Sequence, residues 1–217
     1  MARIVIVLGT HRTGTSCVAG VLHRLGVNMG DGHLMDPTPA NPKGHYEDNR
    51  FYKLNDKMIG RWFDPVCVPT DEILSEYRSL IQQASKENAV WGMKDPRLCY
   101  TLAEVYPIME DRKDDVRIVA VNRDFMDSIM SIVRRDGIQP PHARVIQCGY
   151  LFEREDFLND HPDLPVLHVS YERMLENPLA VTQMLHEFCA GDIWPHDKVD
   201  EAAAFVDPEL NHGTVNG

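Results

Sequence analysis

The stretch Ile4-Val5-Ile6-Val7-Leu8-Gly9-Thr10-His11-Arg12-Thr13-Gly14-Thr15-Ser16 is an apolar run that breaks at a glycine and leads into a second apolar segment beyond Ser16. The run is rich in Val and Ile and has no helical periodicity, as a strand buried on both faces requires. A buried strand, a loop of the form Gly9-x-x-x-x-Gly14-x-Ser16 and an apolar helix make up the layout of a P-loop. In that layout consecutive backbone N–H groups surround an anion at a helix N-terminus.

Three further runs, Val90–Met93, Val116–Asn122 and Pro165–Ser170, have the same character, and a weaker one lies near Gly26–Met29. Helical patterns separate them at Ser16–Leu25, Asp48–Arg61, Asp71–Glu87, Leu98–Asp111, Asp124–Arg135, Ala143–Asn159 and Pro178–Cys189. Asp124, with Asp127 three residues on, is a helix start signal. This alternation predicts an α/β fold: one three-layer domain over residues 1–217, with a central, mostly parallel sheet of about five strands flanked by helices. Gly30 to Gly44 contains Pro37, Pro39 and Pro42 and reads as a long irregular loop, a candidate wall of a binding site.

The formal net charge of −11 disfavours nucleic acid as a partner, which calls for a basic field. Cys17, Cys67, Cys99, Cys148 and Cys189 are scattered without a C-x-x-C pair, so thiols in a reducing compartment are expected. The histidines show no H-x-x-x-H pair, and no metal is expected. The apolar run at the N-terminus is far shorter than a signal core or a membrane span, so the expectation is a cytoplasmic protein without membrane contact.

Details of the loop decide between ligands. A nucleotide triphosphatase carries a lysine where Thr15 stands, and that lysine reaches the β- and γ-phosphates. Here the cation is Arg12, three residues earlier. Farther on, Arg123 follows a strand and Ser131 lies two turns into the next helix, with Asp127 between them, so both can converge on one phosphate. Arginine suits that task because its planar fork donates two parallel hydrogen bonds.

Arg12-Thr-Gly-Thr-Ser16, the Arg123/Asp127/Ser131 spacing, Trp91-Gly-Met-Lys94-Asp95-Pro96-Arg97 and Val169-Ser-Tyr171-Glu-Arg-Met-Leu-Glu-Asn-Pro178 occur in an order that resembles the sulfotransferase family, bacterial-type members in particular. The resemblance runs from residue 9 to about residue 189. It implies the donor 3'-phosphoadenosine 5'-phosphosulfate, with 3',5'-adenosine bisphosphate as product. The donor would be held by Arg12, Thr13, Gly14, Thr15, Ser16, Cys17, Arg123, Ser131 and Tyr171, and the acceptor would be a small molecule or carbohydrate. In-line transfer to a hydroxyl or amine then needs a base, for which Glu47 is the first candidate, His45 the rival and Asp95 the third. Beside Lys94 and Arg97, Asp95 is expected to have a lowered proton affinity. Arg12 and Lys94 would stabilise charge on the sulfuryl and leaving phosphate oxygens. The Arg-Lys-Gly segment of the cytosolic animal members is absent, and Pro208-Glu-Leu-Asn-His212 falls in its region. Two other readings compete: a P-loop kinase of small molecules and a non-catalytic nucleotide-binding protein of the same fold.

Overall fold

The computed structural model describes residues 2–39, 41–60, 65–112, 114–191, 193–194 and 196–210. Its centre is a four-stranded parallel sheet of β1 (Arg3–Leu8), β2 (Val90–Lys94), β3 (Asp115–Asn122) and β4 (Val166–Ser170), in the order β2-β1-β3-β4. β1 pairs in register with β2 (Arg3 with Val90) and with β3 (Arg3 with Asp115), and β3 pairs with β4 (Ile118 with Val166).

The helices are α1 (Thr15–Leu25), α2 (Asn49–Ile59), α3 (Asp71–Glu87), α4 (Leu98–Asp111), α5 (Phe125–Asp136), α6 (Pro140–Asp160), α7 (Tyr171–Glu176), α8 (Pro178–Cys189) and α9 (Val199–Ala203). Alternate residues of β1 serve two cores. Ile4, Ile6 and Leu8 pack with Leu54, Tyr77, Leu102 and Tyr150 from α2, α3, α4 and α6. Val5 and Val7 pack with Val18, Leu22, Leu185 and Ala202 from α1, α8 and α9. Both sheet faces are covered, as an all-parallel sheet requires.

The sheet has four strands, not five. Asn28 makes only an isolated parallel bridge to Trp91, donating its N–H to Val90 O at 3.5 Å and accepting from Gly92 N at 2.9 Å. Its own side chain turns the backbone away by accepting from Gly30 N at 2.8 Å and Asp31 N at 2.9 Å. Asparagine closing a turn in this way competes with strand pairing. The bounds of α6 and α2 also shift. α6 begins at Pro140, ahead of Ala143, because prolines fit the first helical turn. α2 starts after Asp48, which caps it by accepting from Arg50 N, and ends before Gly60; Arg61 lies outside the described residues.

The strand order places the site. The chain steps from β1 to β2 on one side and then crosses to β3 on the other, so a crevice opens at the carboxyl ends where the order reverses.

Candidate active site

Each strand ends at a residue of interest. β1 runs into Gly9, β2 finishes on Lys94, Arg123 follows β3, and Tyr171 follows β4. A cavity of about 430 Å³ lies at these ends, and Arg12, Glu47, Lys94, Arg123 and Tyr171 are on its wall.

The loop is shaped by two glycines and one strained arginine. Gly14 caps α1 at φ 88°, and Arg12 has φ 63°, a left-handed conformation unusual for a side chain-bearing residue. A Cβ on Gly9 would stand 2.7 Å from Thr15 Cγ2 and 3.0 Å from Val121 O. A Cβ on Gly14 would stand 2.2 Å from the Tyr171 ring. The tyrosine therefore packs directly on the loop backbone. Thr13 Oγ1 donates to Thr10 O at 2.8 Å and closes the turn. Gly14, Thr15, Ser16 and Cys17 bring the N-terminus of α1 to the cavity, and no acidic side chain in its first turn offsets the positive end of the dipole there.

Arg12, Ser131, Arg123 and Tyr171 come together across long stretches of sequence. Arg12 Nε donates to Ser131 Oγ at 2.9 Å, and Arg123 Nη1 donates to Arg12 O at 2.9 Å. The Arg123 guanidinium lies 5.2 Å from the Tyr171 ring centroid. Burial lowers the proton affinity of Arg12, and the nearby Arg135 and Arg123 lower it further. Arg12, Arg123 and Arg135 share this wall, and Asp136 beside Arg135 offsets part of their charge. Thr15, Ser16 and Cys17 reach the cavity wall, whereas the hydroxyls of Thr13 and Ser131 are taken up by Thr10 O and Arg12 behind it. Burial pushes the Cys17 thiol up to about 12 and the Tyr171 phenol up to about 12, so both are neutral.

Also lining the cavity, Lys94 Nζ donates to Glu47 Oε1 at 2.5 Å, with both side chains buried. Glu47 is aimed by the antiparallel bridge of Leu34 to Asp48 and by Met35 N donating to Glu47 O at 2.9 Å. His45 is half-buried beside Thr38 Oγ1 at 3.0 Å; burial, then Lys94, Arg12 and Arg135, hold its imidazole below the usual range. Asp95 departs from expectation. Burial, reinforced by Glu47, raises its proton affinity and outweighs Arg97, which was expected to lower it. Asp95 accepts from Asn55 Nδ2 at 3.0 Å and Arg97 N at 2.9 Å, and Asn55 Oδ1 accepts in turn from Tyr77 and Thr101. It is a buried anchor and is not on the cavity wall.

Further residues line the wall. Arg135, exposed and paired with Asp136 at 2.7 Å, is one of them. Its spacing sets it one turn beyond Ser131 on the same face of α5. His11 is buried on the wall, and burial, followed by Arg135, Arg97 and Lys94, holds it well below its ordinary range. The C-terminal side is closed by Phe205 and Asp207. Lys43 donates to Phe205 O at 2.8 Å and pairs with Asp207 at 3.1 Å, and the Arg24 guanidinium covers the Phe205 ring at 3.7 Å. Pro208–Leu210 forms a 3₁₀ turn beyond them; Asn211 and His212 lie outside the described residues.

No family model matches this chain, and no curated protein matches it. Solved structures do. Sulfotransferase STF9 from Mycobacterium avium superposes with a TM-score of 0.62 at 15% identity, over 94% of this chain and 67% of that one. The sulfotransferase domain of the Synechococcus PCC 7002 olefin synthase gives 0.56 at 16% identity, over 99% and 81%. Sulfotransferase STF1 from Mycobacterium tuberculosis H37Rv gives 0.53 at 13% identity, over 94% and 71%. The chain has the sulfotransferase fold. Among the described residues no helix is long and apolar enough to cross a membrane.

Proposed function

We propose that this protein is a sulfotransferase that moves a sulfuryl group from 3'-phosphoadenosine 5'-phosphosulfate to a hydroxyl or amine of a small-molecule or carbohydrate acceptor. The observation that carries this reading is the wall itself. Arg12, Arg123 and Arg135 line the same cavity as the N-terminus of α1 and as a buried carboxylate paired with a lysine. Thr15 in the place of a lysine weakens the kinase reading.

In this scheme the N–H groups of α1 and Arg12 hold the 5'-phosphosulfate, Arg123 and Ser131 hold the 3'-phosphate, and Tyr171 flanks the adenine. The Ser131–Arg12 hydrogen bond is then exchanged for bonds to the ligand. The acceptor oxygen or nitrogen forms a bond to sulfur as the bond from sulfur to the phosphate oxygen breaks. Glu47 takes the acceptor proton on a carboxylate oxygen while Lys94 stays at Oε1. Arg12 and Lys94 stabilise the charge that grows on the departing phosphate, Lys94 being held ready by Glu47.

Calorimetry with 3',5'-adenosine bisphosphate tests the donor site, and transfer of labelled sulfur from the donor to a panel of acceptors tests the reaction. A folded sample that shows no binding at millimolar bisphosphate defeats the proposal. Tight, Mg²⁺-dependent ATP binding without affinity for the bisphosphate makes it a kinase instead.

A further inference from the structure

α6 has one face more apolar than its place in the monomer requires. Its inner face buries Ala143, Ile146, Tyr150 and Phe157. From that face Gln147 donates to His11 O at 2.8 Å and Arg154 to Val121 O at 3.0 Å, so the monomer's needs are met there. The outer face nevertheless carries Val145 at 68% exposure and Phe152 at 65%, with the exposed Cys148 between them. These positions, i, i+3 and i+7, form one stripe on a helix. Phe125 and Met126, both exposed, begin α5, which packs against α6.

The charges beside the stripe are ordered along the helix. Exposed Arg144, with the imidazole of His142 beside it, lies in its N-terminal half, and Asp156 and Glu155, the latter also paired with Arg154 of its own helix, flank the stripe in its C-terminal half. We propose that this stripe is a two-fold interface with a second copy of the chain, in which two α6 helices pack antiparallel.

Helical geometry with the two-fold beside Cys148 sets Phe152 over Val145 of the second copy. The same operation brings Arg144 opposite Glu155 on one flank and His142 opposite Asp156 on the other. A parallel pairing sets like charge on like and is disfavoured. The interface leaves Gln147 and the phosphate loop untouched, so it is separable from ligand binding.

Sedimentation velocity on the whole chain from about 1 µM to about 100 µM tests this. The expected result is a concentration-dependent dimer, weakened at least tenfold by Phe152→Glu or Val145→Glu with bisphosphate affinity unchanged. Arg144→Glu should weaken it too, and the double variant Arg144→Glu/Glu155→Arg should restore it. A short bis-maleimide should trap the dimer through Cys148, and Cys148→Ser should abolish the trapping. A strict monomer at 100 µM overturns the proposal, as does a dimer indifferent to Phe152→Glu and Val145→Glu. Phe152-dependent adsorption to phosphatidylcholine vesicles without self-association overturns it in favour of a lipid surface.

Discussion

Arg12 Nε donates to Ser131 Oγ at 2.9 Å and so ties the loop after β1 to a helix 119 residues later in sequence. Loss of either partner has different consequences. Arg12→Ala removes a charge-assisted donor, worth about 1.5–3 kcal/mol, and should weaken 3',5'-adenosine bisphosphate binding roughly 10- to 100-fold in calorimetry. Ser131→Ala removes a neutral hydroxyl and should cost less, about tenfold or under. Equal affinities for wild type and Arg12→Ala refute the assignment of Arg12 to the donor.

The Lys94–Glu47 pair allows stability and catalysis to be separated. Glu47→Gln keeps an oxygen for Lys94 and should fold and bind bisphosphate, while turnover falls roughly 10²- to 10⁴-fold. Glu47→Leu leaves Lys94 buried without its carboxylate and should lower stability by about 3–5 kcal/mol. Glu47→Leu/Lys94→Met should recover most of that stability and none of the activity. Measurement of kcat with denaturant melts of all three variants checks this; full turnover by Glu47→Gln passes the base role to His45.

Local signals account for what the sequence disclosed. β1 and β3 were visible because both sheet faces are covered, which makes the strands continuous apolar runs. α3 was legible to its ends because Thr70 caps it by accepting from Ile73 N. The missed features depend on distant partners. The Gly26–Met29 strand was lost to a side chain–backbone turn at Asn28. Arg135 reaches the cavity wall from the face of α5 that carries Ser131, which accepts from Arg12. The rise in Asp95 proton affinity comes from burial behind Asn55, Tyr77 and Thr101, which adjacency to Lys94 and Arg97 in sequence did not disclose.

Acid should loosen the unliganded protein through its site histidines. His11 and His45 have folded-state pKa values below the unfolded value of about 6.5. Between those values the unfolded chain binds protons that the folded chain does not, so their contribution is complete above about pH 6.5 and is lost as pH falls through the window. Asp95 acts in the opposite sense: its raised proton affinity favours the folded state as acid is added below its folded pKa. Thermal melts from pH 7 to pH 5 on an Asp95→Asn background isolate the histidines. The expected slope is downward toward acid and flatter in His11→Gln; an unchanged slope in that variant removes His11 from the account.

Gly14 couples the loop to Tyr171, and a single methyl group tests both constraints. At φ 88° an alanine is strained by about 1–3 kcal/mol, and its Cβ would also lie 2.2 Å from the Tyr171 ring. The ring is buried, so it has little room to yield, and overpacking adds a further cost of about 1–3 kcal/mol. Gly14→Ala should therefore lower the melting temperature and weaken bisphosphate binding together. Gly14→Ala/Tyr171→Ala relieves the clash and leaves the backbone strain, so it should regain part of the stability loss attributed to Gly14→Ala, relative to Tyr171→Ala alone. Binding should stay weak, because the N–H groups of the first turn remain misdirected and the aromatic face is gone. A Gly14→Ala protein that melts and binds like wild type would mean that the ring does not rest on the loop.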